Sequence, residues 1–227
     1  MPASLPLGND VVDLGHGDNL RSAANQRYRE RVLAGSEHRA LCQRRHASRA
    51  FLAYWAAKEA AFKALSRGRP ALVFAHRQFV VREDAAAPIG SAQRAARGEV
   101  EHSGIRIPVR WHWTDDWVHC FTATGNSTVE WEVRALAHCS VSPAASVACD
   151  DAALSDESRA VRSLAVALLC AQGIDDARVQ SSTRNGRRGP PTVICSGHPR
   201  EDVCLSLSHD GRFVAAAFAT CDGASPI

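Results

Sequence analysis

One order of elements occurs twice in this chain, and it restricts the fold more than any other feature. A short strand-like run, "LGNDVVDL" (7–14), precedes two helical segments around residues 26–43 and 47–66. Three strand-like runs follow, "ALVFAHRQFVV", "GIRIPVRWHW" and "DWVHCFTAT". After the turn signal "TGNS" (124–127) the order begins again. The second round has the strand "TVEWEVRALAH", a loop rich in Ser, Pro, Ala and Asp, and the helix "SDESRAVRSLAVALLCAQG". It closes with the strands "ARVQSSTRNG", "PPTVICSG", "DVCLSLSH" and "RFVAAAFAT". Ser155 or Asp156 can cap the helix and Gly173 can end it. Asp210-Gly211 is a two-residue hairpin signal joining the last two strands. Helix followed by several antiparallel strands, repeated, predicts an α+β protein of two similar lobes, with a boundary near residues 125–130.

Composition narrows the class. At 227 residues, 45% hydrophobic and 22% charged, the chain can bury a real core. Its longest apolar run, "LAVALLCA", is far too short to cross a bilayer, and "MPASLPLGNDVV" lacks the basic start and apolar stretch of an export signal. No membrane role is expected. None of the eight Cys forms a C-x-x-C pair, which removes zinc-ribbon and thioredoxin readings and suggests reduced thiols in the cytoplasm. The net charge of +3 is unevenly spread: Arg21 to Arg49 carries eight Arg against Glu30 and Glu37. Such a run is either a solvated helix surface or a face that attracts an acidic partner.

Of 27 basic residues only Lys58 and Lys63 are lysine, and both flank Glu59 in "YWAAKEAAFKAL". On a helix, Phe51, Trp55, Phe62 and Leu65 share one stripe, read as the core-facing side. Glu59 falls at the edge of that stripe, with Lys63 four residues on and beside it. The opposite side is mostly Ala and would admit another helix closely. A carboxylate at an aromatic border needs a cation, either Lys63 or a metal. The bland alternative is a surface pair of about 0.3–0.5 kcal/mol.

In "LGNDVVDL" strand alternation puts Asp10 on a face with Val12 and Leu14, and Asn9, Val11 and Asp13 on the other. An Asp among apolar neighbours must be paired or ligate a cation, unless it merely caps the next helix. Ser208 and His209 stand at the mouth of the last hairpin, where they can face a ligand or be incidental.

Taken in order, "GND", "WAAKEAAFK" and "SLSH" resemble the 4′-phosphopantetheinyl transferases, whose pattern reads G-[IT]-D, W-[ST]-x-K-E-[SA]-x-x-K and S-[IL]-S-H. The resemblance runs from residue 8 to 219, and the W-x-x-K-E-x-x-x-K element is its most specific part. Two-lobed members usually carry the S-H lobe first. Here the order is reversed, which looks like a circular permutation, so the resemblance implies a metal-binding lobe at 1–127, a coenzyme A-binding lobe at 128–227, and a pseudo-dimeric monomer with its active site between pseudo-twofold-related lobes.

The implied reaction moves the 4′-phosphopantetheine arm of coenzyme A onto a serine of an acyl or peptidyl carrier protein in fatty acid, polyketide or nonribosomal peptide biosynthesis, releasing adenosine 3′,5′-bisphosphate. By the same resemblance Asp10 and Glu59 ligate Mg²⁺ or Mn²⁺, Glu59 or a metal-bound water is the base, and Lys63 meets the transferred phosphate. Lys58 has a role in packing or the local field. Asp13 matches the short synthases' D-x-x-E, whereas two-lobed members read D-x-E, which would select Val12. Ser208, His209, Arg162 and Ser163 would contact coenzyme A. The family's G-K-P lysine has no counterpart in "NGRRGPP", where Arg187 or Arg188 would have to substitute. That departure supports a rival reading, a degenerate module that binds coenzyme A or a carrier without transfer. A nucleic-acid binder would leave Asp10 and Glu59 unexplained, so no nucleic acid is expected.

Overall fold

A computed structural model describes residues 7–85, 89, 94–122, 128–139, 154–184 and 187–220, with side chains left out at 182–184, 187 and 188. The molecule is mixed α+β with antiparallel sheets, and it divides into two compact units, Met1–Thr124 and Gly125–Ile227.

The first unit opens with strand β1 (Asn9–Asp13). Four helices follow: α1 (Gly17–Ala24), α2 (Gln26–Val32), α3 (Gly35–Cys42) and α4 (Ala47–Gly68). Strands β2 (Val80–Glu83), β3 (Ala95–His102), β4 (Ile105–Trp113) and β5 (Trp117–Thr122) complete a sheet of order β1-β5-β4-β3-β2. The segment expected as one helix over 26–43 is two, broken at Leu33 and Ala34, where extended backbone ends α2 and begins α3. The expected strand over 71–81 is mostly loop, with a 3-10 turn at His76–Gln78 before the short β2. β3, "AARGEVEH", carries no clear strand signal because its Arg and Glu obscure the alternation; both its neighbours pair with it antiparallel.

Helix α4 departs from expectation in an instructive way. Its alanine side, not its aromatic stripe, is the face most fully buried. Ala53, Ala56, Ala57, Ala60, Ala61 and Ala64 are all at 0% exposure, and the helix packs on β1 and β5. A row of methyl groups lets the helix approach the strands closely, where larger side chains would hold it off. Phe51 and Leu65 are buried as expected, but Trp55 and Phe62 are half-exposed. Trp111 of β4 donates its indole N–H to the Ala53 carbonyl at 2.9 Å and so ties helix to sheet.

The second unit contains β6 (Val129–Ala135), helix α5 (Asp156–Ala171), β7 (Arg178–Arg184), β8 (Arg187–Cys195), β9 (His198–Pro199), β10 (Val203–Asp210) and β11 (Phe213–Thr220). They form the sheets β10-β11-β6 and β7-β8-β9. Ser155 caps α5 by accepting from the Ser158 N–H, and Gly173, at φ +76°, follows its end. The last hairpin pairs Asp210 with Phe213, so the turn residues are Gly211 and Arg212 and Asp210 ends the strand, one position later than the dipeptide signal suggested. Gly211 takes φ +51°, the backbone freedom for which the signal selects. The turn signal at 124–127 and most of the Ser/Pro/Ala/Asp-rich loop lie outside the described residues.

Candidate active site

The site in the first unit begins with a close approach. A Cβ on Gly8 would strike the Ala60 carbonyl oxygen and stand 2.7 Å from the Ala64 nitrogen. Only glycine lets the start of β1 lie this close to α4. One residue further, the strand meets Lys63, whose ammonium donates to the Asn9 carbonyl at 3.0 Å and to Asp10 Oδ1 at 2.8 Å. The Asp10 carboxylate is nearly buried, and this pairing meets the requirement that a strand-borne Asp among apolar neighbours imposes.

Glu59 lies one turn before Lys63 on the half-exposed strip of α4. Burial pushes its carboxyl up to about 7; the Asp10 charge adds to the rise and Lys63 opposes it. Glu59 therefore stands in a partly desolvated setting within the field of a second carboxylate and one ammonium, and the single cation does not offset the repulsion between the acids. Among the described residues no group of three or more His, Cys, Asp or Glu gathers as a metal-binding cluster. The donor set is instead two hard carboxylates, which fits an ion such as Mg²⁺ that takes one or two protein carboxylates and completes its shell with water and phosphate oxygen. Asp13 sits on the opposite face of β1 from Asp10, fully buried, with Oδ1 accepting the Gly15 N–H at 2.8 Å. That geometry gives Asp13 a turn-capping role.

The two lysines part company here. Lys58 has no exposed surface and is paired at 2.8 Å with Glu37, itself buried. It also donates to the carbonyls of His76 and Phe79. Glu37 in turn accepts the Ala34 N–H at the start of α3 and the Val81 N–H at the start of β2. Lys58 thus pins α3, α4 and the entry to β2 together. Burial lowers its pKa, while Glu37 counters the shift.

Sequence reasoning missed an aromatic wall beside Glu59. Trp55, one turn before it, stacks on Tyr28 (5.8 Å between ring centroids) and on His76 (4.7 Å), while Phe62 stacks on Phe74 (4.7 Å). The Tyr28 phenol is raised chiefly by burial, opposed by Arg31, with Glu59 adding to the rise. Trp55 and Phe62 were visible in the motif. Tyr28 and His76 come from α2 and the 3-10 turn before β2, with no spacing signal to join them.

In the second unit, Arg162 donates to the Ser158 carbonyl at 2.9 Å and to Ser181 Oγ at 3.0 Å, linking α5 to β7. Ser163 is half-buried on α5, Ser208 is buried on β10 and His209 is exposed near the strand's end. The Glu157 carboxyl is lowered first by its own helix-start N–H and Ser155, with a smaller contribution from His209. The Arg188 side chain lies outside the described residues.

A strand Asp, a helix Glu with raised proton affinity and a lysine bridging strand and helix come together where α4 packs on β1. The family model described as 4′-phosphopantetheinyl transferase superfamily matches residues 6–122, just over half of the chain. The chain belongs to that superfamily, whose general role is phosphopantetheinyl transfer. The match covers β1 through β5, so it includes Asp10, Glu59 and Lys63. No curated protein matches the chain.

Proposed function

We propose that this protein transfers the 4′-phosphopantetheine arm of coenzyme A to a serine of an acyl or peptidyl carrier protein, as a holo-carrier-protein synthase. The observation that supports this reading best is the Lys63–Asp10 pair beside a Glu59 held near neutrality, at the positions where the family pattern has its acids and lysine. The serine hydroxyl attacks the phosphorus bearing the pantetheine arm, and the bond to the leaving adenosine 3′,5′-bisphosphate breaks. Glu59, with a proton affinity close to working pH, takes the serine proton. Lys63, a compact charge on the strand side of the site, steadies the oxygens of the transferred phosphoryl group. A Mg²⁺ or Mn²⁺ ion held by Asp10 and Glu59 would neutralise charge on the pyrophosphate.

In this reading the first unit is the metal-binding lobe and the second binds coenzyme A, with Arg162, Ser163, Ser208 and His209 as nucleotide contacts and Arg188 standing for the missing G-K-P lysine. The exposed Arg27, Arg31, Arg39 and Arg45 of the helical face suit an acidic carrier, whereas Arg44 and Arg49 are engaged by Glu83 and Asp115. We place the enzyme in the cytoplasm as a monomer; no described helix is long and apolar enough to cross a membrane. The test is the intact mass of carrier proteins incubated with coenzyme A, Mg²⁺ and the enzyme. An added phosphopantetheine mass is expected. Its absence on every member of a fatty-acid, polyketide and peptide carrier panel would favour the non-catalytic binding module.

A further inference from the structure

The Lys63 ammonium is held by two acceptors on β1, the Asn9 carbonyl and Asp10 Oδ1. Strand alternation sends the Asn9 side chain to the other face of the sheet from Asp10. There its Nδ2 lies 3.2 Å from His119 Nε2, and both residues are at 0% exposure. In the β1–β5 ladder Asn9 stands opposite Phe121, so residue 119 is its diagonal neighbour on the same face. Among the described residues β1 is an edge strand of its sheet and is laddered to β5. A single ladder leaves an edge strand freer to twist or slide than an inner one. A buried side-chain bond across it constrains the one peptide whose carbonyl the lysine uses.

We propose that His119 is a positioning residue for the transfer reaction: through the Asn9 carboxamide it holds the Asn9 carbonyl and the Asp10 carboxylate where they bind the Lys63 ammonium. This rests on the reading of Asp10, Glu59 and Lys63 as the transfer site. The chemistry of the pair is consistent. Asn9 Nδ2 can donate only if His119 Nε2 carries no proton, and burial, aided by His112 and Lys63, lowers this imidazole to about 3, so the ring is neutral at working pH. A phenylalanine at 119 removes the acceptor that holds the Asn9 carboxamide, whereas replacing both partners by apolar groups of like shape is the change that costs least stability.

The near absence of lysine supplies a readout other than activity. Lys58 is fully buried, so Lys63 is the accessible lysine of the chain. Its rate of acetylation by acetic anhydride, followed by peptide mass spectrometry, reports how firmly the ammonium is held. The comparison is wild type, His119→Phe, His119→Gln and the double variant Asn9→Val/His119→Phe. The double variant is expected to melt within a few degrees of wild type. Its Lys63 should label several-fold faster, and its kcat should fall roughly tenfold to a hundredfold at unchanged KM for coenzyme A, the scale of a small misplacement at a reacting centre. His119→Gln, which keeps an acceptor, should label like wild type. Should the double variant not fold, His119→Phe against His119→Gln carries the same comparison. Wild-type labelling of Lys63 in a folded variant lacking the acceptor overturns the proposal. A wild-type protein that modifies no carrier, with labelling that still responds to the variants, removes the transferase reading and leaves the linkage from His119 to Lys63 standing.

Discussion

Gly8 lies against Ala60 so closely that no side chain fits between strand β1 and helix α4. This contact sets the reach of the site. It brings the strand's Asp10 to the helix's Lys63 at 2.8 Å, and any spacer at residue 8 would part them.

Gly8→Ala is therefore expected to force strand and helix apart. Overpacking at a fully buried contact destabilises by about 1–3 kcal/mol or more. Transfer should fall by more than the loss of folded protein explains. Urea unfolding and a kcat corrected for the folded fraction measure the two effects separately.

Glu59→Gln should abolish transfer while the protein stays folded, because the charge and the proton acceptor go but the volume remains. Near wild-type kcat in this variant would remove Glu59 from the mechanism.

The same residue sets a pH dependence of stability. Its folded pKa, about 7, lies above the ordinary carboxylate value of 4.5. A raised carboxyl stabilises the fold fully below the unfolded pKa, and that contribution fades as pH climbs through the folded one. In chelator, wild type should lose stability between about pH 4.5 and 7, on the order of 3 kcal/mol at most for a shift of this size. Glu59→Gln should flatten that slope, so its melting temperature exceeds wild type at pH 8 and matches it at pH 4.5. Parallel pH profiles for the two proteins would contradict the assignment.

The two lysines should fail in different ways. Lys58→Met leaves Glu37 buried without its cation and should lose about 3–5 kcal/mol, with the surviving folded fraction transferring at a near-normal rate. Lys63→Arg should keep its stability and lose transfer at least tenfold, since a planar fork replaces a compact ammonium. Denaturant curves and single-turnover rates on both variants distinguish the two cases; equal behaviour would mean that both lysines serve the same end.

Asp10, Glu59 and Lys63 were legible because each breaks a local rule: a carboxylate inside an apolar strand, another at an aromatic border, and two lysines in a chain that otherwise writes its positive charge as Arg. The α+β class and α5 with its Ser155 cap were legible from periodicity and turn chemistry, which depend on neighbours along the chain. Tertiary structure alone decided which side of α4 faces the sheet. Hydrophobic stripes weigh side chains by size, whereas close helix–sheet contact selects small ones, so the alanines went in and Trp55 and Phe62 stayed at the border. It likewise decided that Lys58 joins α3, α4 and the entry to β2, and that Lys63 reaches the Asn9 carbonyl. Those contacts join residues 18 to 54 positions apart and rest in part on backbone atoms that every residue carries, so no pattern of side chains announces them.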